Sequence, residues 1–113
     1  MTNTAAPDWQ AKRTMETRRV EDALRNAGFD SVDAYRYNSA SIRVRVIDPR
    51  FEGLGPADRD ALVEPVLEQL EERTQADIVN LFTFAPSELR QTPKTHKQFL
   101  LNMEFENPSP SML

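Results

Sequence analysis

The stretch SIRVRVI (41–47) limits the possible folds more than any other part of the chain. Ile42, Val44 and Val46 alternate with Ser41, Arg43 and Arg45, and a period of two puts the two sets on opposite faces of a strand. A 3.6-residue repeat would scatter the same apolar residues around a helix axis. The spacing predicts a strand over 40–48 with one covered face and one wet, Arg-bearing face. Asp48-Pro49 ends it, because proline brings no N–H to a ladder. SVDAYRYN (31–38), rich in β-formers and closed by Asn38-Ser39, is the expected partner strand of a hairpin.

Helical signals lie on either side. Val20, Ala23, Leu24 and Ala27 recur at i, i+3, i+4 and i+7, predicting a helix over 15–27. Gly28 supplies the positive φ of a helix stop, and Phe29 is expected to fold back onto Leu24 in a Schellman ending. After the hairpin, Phe51 and Leu54 read as apolar plugs in a loop that Gly53 and Gly55 allow to turn. Pro56 suits a first helical position. Ala57, Ala61, Leu62, Val66, Leu67 and Leu70 then mark an expected apolar stripe, which Pro65 is expected to split into two short helices. ADIVNLFTFA (76–85) is apolar on both sides and reads as a strand that is central or covered on both faces. In QFLLNMEFENP (98–108), Phe99, Leu101, Met103 and Phe105 alternate with Leu100, Asn102, Glu104 and Glu106, which predicts a further strand at about 98–106.

The order helix, strand, strand, helix, helix, strand predicts an α+β two-layer sandwich with an extra C-terminal strand. A loose arm is expected over 1–14, tacked to the core by Trp9, and a C-terminal extension over 91–113. At 113 residues the chain is one domain with room for a modest core. It has no cysteine, which excludes disulfides, thiolate ligands and a Cys nucleophile and suits a reducing cytoplasm. No leader or membrane-length apolar run is read, so the expected location is cytoplasmic. The net charge of −4 is uneven: residues 11–50 hold nine Lys/Arg against six Asp/Glu, and residues 51–113 hold five against eleven. Such a mixed surface is not a nucleic-acid footprint.

Over residues 18–89 the chain resembles the BolA-like family, whose fold is similar to a type II KH domain. The resemblance rests on the helix RRVEDALRNAGF, the hairpin end SIRVRVIDPRFEGL, the helix segment ADRDALVEPVLEQL and the closing NLFTFAPSEL. Strand-then-RFEGL is the most specific piece. The family's signature is an Arg-His pair in the helix after that loop, and its histidine helps bind an iron–sulfur cluster shared with a monothiol glutaredoxin. Arg59 matches the arginine, and Asp60 stands where the histidine would be. A carboxylate is a hard oxygen donor and a poor substitute for imidazole at an iron–sulfide centre. The resemblance therefore implies a relative without cluster ligation, with no cofactor expected. The family's DNA mode needs a basic helical pair, whereas residues 58–77 carry Asp58, Asp60, Glu64, Glu68, Glu71, Glu72 and Asp77 against Arg59 and Arg73. The Gly-x-x-Gly clamp of nucleic-acid-binding KH domains has no counterpart, since Gly53-Leu54-Gly55 has another spacing and precedes the helices.

The candidate binding residues are Arg43 and Arg45 on the strand's open face, with Arg36, Arg50 and Arg59 near its ends. They suit an acidic or phosphate-bearing partner unless they pair internally, with Asp33 or an acidic helix. Phe99, Leu101, Met103 and Phe105 are the candidates for strand addition, either to the protein's own sheet or to a second subunit or partner. His96, in the polar QTPKTHKQ, reads as an exposed loop residue, and Glu64, Glu68, Glu71 and Glu72 as a solvated helix face. With no nucleophile–base pair in view, the chain is not expected to be an enzyme. The expected function is a protein-interaction module that binds itself or a protein such as a monothiol glutaredoxin. The alternative is nucleic-acid binding through the Arg-bearing sheet face.

Overall fold

The computed structural model describes residues 8–112. The elements run α1 (Met15–Asn26), β1 (Ser31–Asn38), β2 (Ser41–Ile47), α2 (Pro56–Leu67), α3 (Glu72–Asp77), β3 (Ile78–Phe84) and α4 (His96–Glu106), with short 3₁₀ turns at Asp8–Lys12, Pro49–Phe51 and Pro86–Leu89. The fold is mixed α+β, built on a three-stranded sheet of order β1-β2-β3. β1 and β2 form the expected antiparallel hairpin, and β3 returns parallel to β2 after α2 and α3.

Local chemistry accounts for α1. Thr14 and Thr17 cap each other reciprocally: the Thr17 N–H donates to Thr14 Oγ1 at 3.2 Å and the Thr14 N–H to Thr17 Oγ1 at 2.8 Å. At the other end Gly28 adopts φ +98°. The Phe29 N–H donates to the Leu24 carbonyl at 3.2 Å and the Gly28 N–H to Arg25 at 2.9 Å, which is the Schellman pattern. Phe29 and Leu24 then share the main core with Val20, Val32, Val44, Val46, Phe51, Val63 and Leu67.

Several expectations need correction. Pro65 lies inside α2, and the break between the two helices falls later, at residues 68–71. The inward stripe of α2 is Arg59, Val63, Val66 and Leu67, while Ala57, Ala61 and Leu62 face solvent. β3 is an edge strand, and β2 is the central one. Of the expected loose arm, residues 1–7 lie outside the described residues. Residues 8–12 form a helical turn, and Trp9 is buried as anticipated.

The largest correction concerns the C-terminus. Residues 96–106 are a helix, not a strand, and this helix covers the sheet face that was expected to be wet. Arg43 and Arg45 are only 8 % and 6 % exposed. Arg43 Nη1 donates to Glu104 Oε2 at 2.9 Å, and Arg45 reaches Asn102 at 2.8 Å, Glu106 at 2.9 Å and Asp33 of β1 at 2.7 Å. Phe105 enters a second, aromatic core with Trp9 and Tyr35, against which Tyr37 and Phe82 pack. The Tyr35 hydroxyl donates to the Phe105 carbonyl at 2.8 Å. The Nε atoms of Arg43 and Arg45 have no hydrogen-bond partner. Their guanidinium planes lie instead over aromatic rings, Arg43 at 3.7 Å from Tyr37 and Arg45 at 4.5 Å from Phe105.

Phe105 is therefore the apolar peg of α4. Phe105→Ala should cost about 3–5 kcal/mol in urea unfolding. It should also red-shift the emission of Trp9, the chain's one tryptophan, whose ring lies 5.4 Å from that of Phe105. Leu100→Ala, on the outer side of the same helix, should change stability by no more than about 0.5 kcal/mol.

Candidate functional site

Gly55 and Pro56 start α2 so that Arg59 arrives in its second turn, pointing inward. Arg59 is 7 % exposed, and four contacts hold its guanidinium. Nε donates to the Leu54 carbonyl at 2.8 Å, and Nη1 to the Thr83 carbonyl at 3.0 Å. Nη1 and Nη2 form a fork on Glu88, at 2.7 and 2.8 Å. Glu88 comes from the 3₁₀ turn after β3 and also accepts the Ala85 N–H at 2.9 Å. One buried arginine thus joins the loop before α2, the end of β3 and the turn beyond it. The side-chain bond to Glu88 raises Arg59's pKa, and the same bond lowers that of Glu88.

Beside this clamp is a cleft of about 460 Å³. Its walls are the start of α2 (Leu54, Gly55, Pro56 and Arg59) and one side of α4 (Lys97, Gln98 and Leu101), and its floor is β3 from Asn80 to Phe84. The floor carries no charged residue.

The two edges of the sheet are finished differently. Along the outer edge of β1, Arg25 donates to the Val32 carbonyl at 2.9 Å and the Ala34 N–H donates to the buried Glu21 at 2.8 Å. Arg13 braces the same edge, bonding Glu21 at 2.9 Å and Asp33 at 3.1 Å. On β3, the Phe84 carbonyl accepts the Asp48 N–H on the β2 side, so alternation turns Leu81 and Thr83 outward. The Thr83 carbonyl is capped by Arg59. Among the described residues, nothing bonds the outward N–H of Thr83 or either backbone group of Leu81.

The structure does not gather the candidate arginines into one patch. Arg36 binds Glu16 of α1 and Asp77 of α3. Arg43 and Arg45 lie under α4. Arg50 pairs with Asp48 at 3.1 Å and lies 4.2 Å from the Phe29 ring. Only Arg59 belongs to the cleft. The internal pairing weighed for Arg43 and Arg45 is what the structure contains, with Asp33 and an acidic helix both taking part.

The apolar tail residues separate as well. Phe105 is core and Phe99 is half-buried, whereas Leu101 and Met103 are 42 % and 45 % exposed, beside Leu100 at 52 %. Leu101 forms part of the cleft wall. His96 is exposed at the first residue of α4. Glu64, Glu68, Glu71 and Glu72 are all exposed, as a solvated face requires. The sequence reading did not single out Leu81, Thr83, Glu88 or Lys97. The one available signal is the uncharged run IVNLFTF, whose pattern predicts a strand that is central or covered on both faces.

No family model matches this chain, no curated protein matches it, and no solved structure matches it. Among the described residues, no helix is long and apolar enough to cross a membrane.

The Arg59–Glu88 fork has a pH signature. A depressed carboxylate pKa stabilises the fold fully above the unfolded-state value of about 4.3, and that contribution disappears as pH falls through the lower folded-state value. Glu88→Gln should therefore be less stable than the parent at pH 7, with a smaller gap at an acidic pH below the unfolded-state value of about 4.3. Arg59→Met, which leaves Glu88 and two carbonyls without their donor, should cost on the order of 3 kcal/mol at pH 7. Urea titrations at both pH values measure both effects.

Proposed function

We propose that this chain is a non-enzymatic protein-interaction module of BolA-like kind that docks a protein partner at the α2–β3–α4 cleft and does not ligate an iron–sulfur cluster. The observation that carries this reading is the cleft itself, an uncharged strand edge held open between two helical walls by the buried Arg59–Glu88 fork. Leu54, the last residue of the RFEGL stretch that is the most specific piece of the resemblance, and Arg59 both belong to one of those walls. Leu101, 42 % exposed, adds an apolar side chain to the α4 wall.

The donor set does not fit an iron–sulfur cluster. Asp60 stands at the histidine's position, the chain has no cysteine, and among the described residues no three His, Asp or Glu side chains converge as metal ligands would. Asp60's carboxylate is half-exposed and takes part in no ion pair or side-chain hydrogen bond. A monothiol glutaredoxin is a partner to test for contact through the cleft and not through a shared cluster. Nucleic acid on the sheet face is the weaker reading, because α4 covers Arg43 and Arg45 and supplies their counter-charges.

Affinity capture from native extract, with and without nuclease, separates the two readings when the intact chain is run beside Leu101→Arg. The expected result is a set of proteins retained by the parent chain, insensitive to nuclease and absent with Leu101→Arg. Retention that disappears with nuclease, or that Leu101→Arg leaves unchanged, would overturn docking at the cleft. Mixing the chain with cluster-loaded monothiol glutaredoxin should leave the cluster's visible absorption unaltered.

A further inference from the structure

We propose that the cleft takes its partner as a strand: an extended, largely apolar peptide segment that pairs with the outer edge of β3 and places one carboxylate beside Lys97. This deepens the docking reading above and rests on it. Four observations on different parts of the molecule support it.

The first is the unequal treatment of the two sheet edges. Exposed edges invite pairing with foreign strands, and proteins blunt them with charge, proline or covering side chains. β1 is blunted by Arg25, Glu21 and Arg13. β3 has neither a charge nor a proline in its seven residues. The second is direction. Leu81 offers both an N–H and a C=O outward, and Thr83 offers an N–H, whereas the Thr83 carbonyl is already taken by Arg59. The open groups are those an added strand uses, and Arg59 marks where the pairing stops.

The third is shape. A volume of about 460 Å³ falls in the ordinary range of ligand clefts, roughly 300–1,000 Å³. Helical walls on both sides admit a single extended chain lying along the floor. A second copy's β3 is flanked by the same two walls, so pairing two copies edge to edge brings wall against wall. The chain's own C-terminus is held elsewhere, since the Tyr37 hydroxyl donates to the Ser109 carbonyl at 2.6 Å and Asn38 donates to Ser111 at 3.0 Å. The fourth is charge. Glu88 neutralises Arg59, which leaves Lys97 as the uncompensated cation of the lining. One carboxylate on the incoming segment complements it, and a polyphosphate does not suit the acidic α2–α3 surface nearby.

A strand edge offers a specific test, because proline can remove an outward N–H without breaking a ladder bond. Thr83→Pro deletes an edge donor and keeps the carbonyl that Arg59 needs. The probe is a library of displayed 12-residue peptides selected on the full-length chain, followed by titration of the selected peptides into ¹⁵N-labelled protein. The expected peptides alternate β-branched or aromatic residues with small ones and carry one Asp or Glu. They should slow amide exchange at Leu81 and Thr83. Thr83→Pro should weaken them at least about tenfold, as the loss of a backbone hydrogen bond in a water-excluded cleft requires. Lys97→Glu, a surface change, should weaken only the peptides bearing the carboxylate, with the melting curve unaltered.

Selected peptides that perturb Leu54, Gly55 and Lys97 but bind Thr83→Pro as tightly as the parent would overturn strand addition and leave cleft docking standing. Failure to select any peptide that perturbs a cleft residue would overturn both. Concentration-dependent dimerisation abolished by Thr83→Pro would name a second copy as the occupant, and so overturn the assignment to a partner segment.

Discussion

Two guanidinium groups on the inner strand of the sheet, Arg43 and Arg45, determine how the second half of the molecule is built. A guanidinium stays charged at any working pH, and a buried charge without a partner costs several kcal/mol. Whatever covers that face of β2 must therefore bring carboxylates to it. Asp33 supplies one from the neighbouring strand, and α4 supplies Glu104 and Glu106 with Asn102 between them. Phe105 is the one fully buried apolar side chain that α4 contributes, and it fits between the Arg45 guanidinium and the rings of Trp9 and Tyr35. With its polar side turned inward, α4 has to turn Leu100, Leu101 and Met103 outward. The exposed apolar side chains of α4, Leu101 of the cleft wall among them, follow from the arginines beneath the helix.

The same inversion explains what the sequence could and could not disclose. Where burial is apolar, pattern and structure coincide: SIRVRVI is a strand, Val20 and Leu24 face the core, and Gly28-Phe29 closes α1 as its residues indicate. The rule that apolar positions mark the inside fails for α4, whose inward side is acidic, so Phe99, Leu101, Met103 and Phe105 gave a false period of two. The rule fails in the opposite sense on α2. There Arg59 occupies the buried stripe in place of the expected Ala57 and Ala61, because its charge is fully bonded. The uncharged run IVNLFTF reads as a strand that is central or covered on both faces, and it lies at the sheet edge, where it lines the cleft. Each error is a place where polar pairing, or an edge left open, overrides hydrophobic periodicity.

Arg59 and Asp60 are neighbours in sequence with separate physical duties. Four of the five N–H donors of Arg59 go to Leu54, Thr83 and Glu88, so its chief duty is to shape the cleft. Asp60 turns to the half-exposed side of the helix and holds nothing in place. A substitution at position 60 would therefore leave the cleft wall undisturbed.

Electrostatics narrows what the proposed docking cleft would accept. The α2–α3 segment is acidic, and its glutamates are solvated and free to repel polyanions at a range set by the Debye length of about 8 Å. Inside the cleft the balance differs, because Arg59 and Glu88 cancel and Lys97 remains. A ligand carrying one negative charge on an otherwise apolar extended backbone would gain from both features: Lys97 would attract it, and displacing water from the floor would strengthen each hydrogen bond it makes to β3. A nucleic-acid strand gains from neither, since it would bring one charge per nucleotide past the acidic helices and find the sheet's own arginines already bonded to α4.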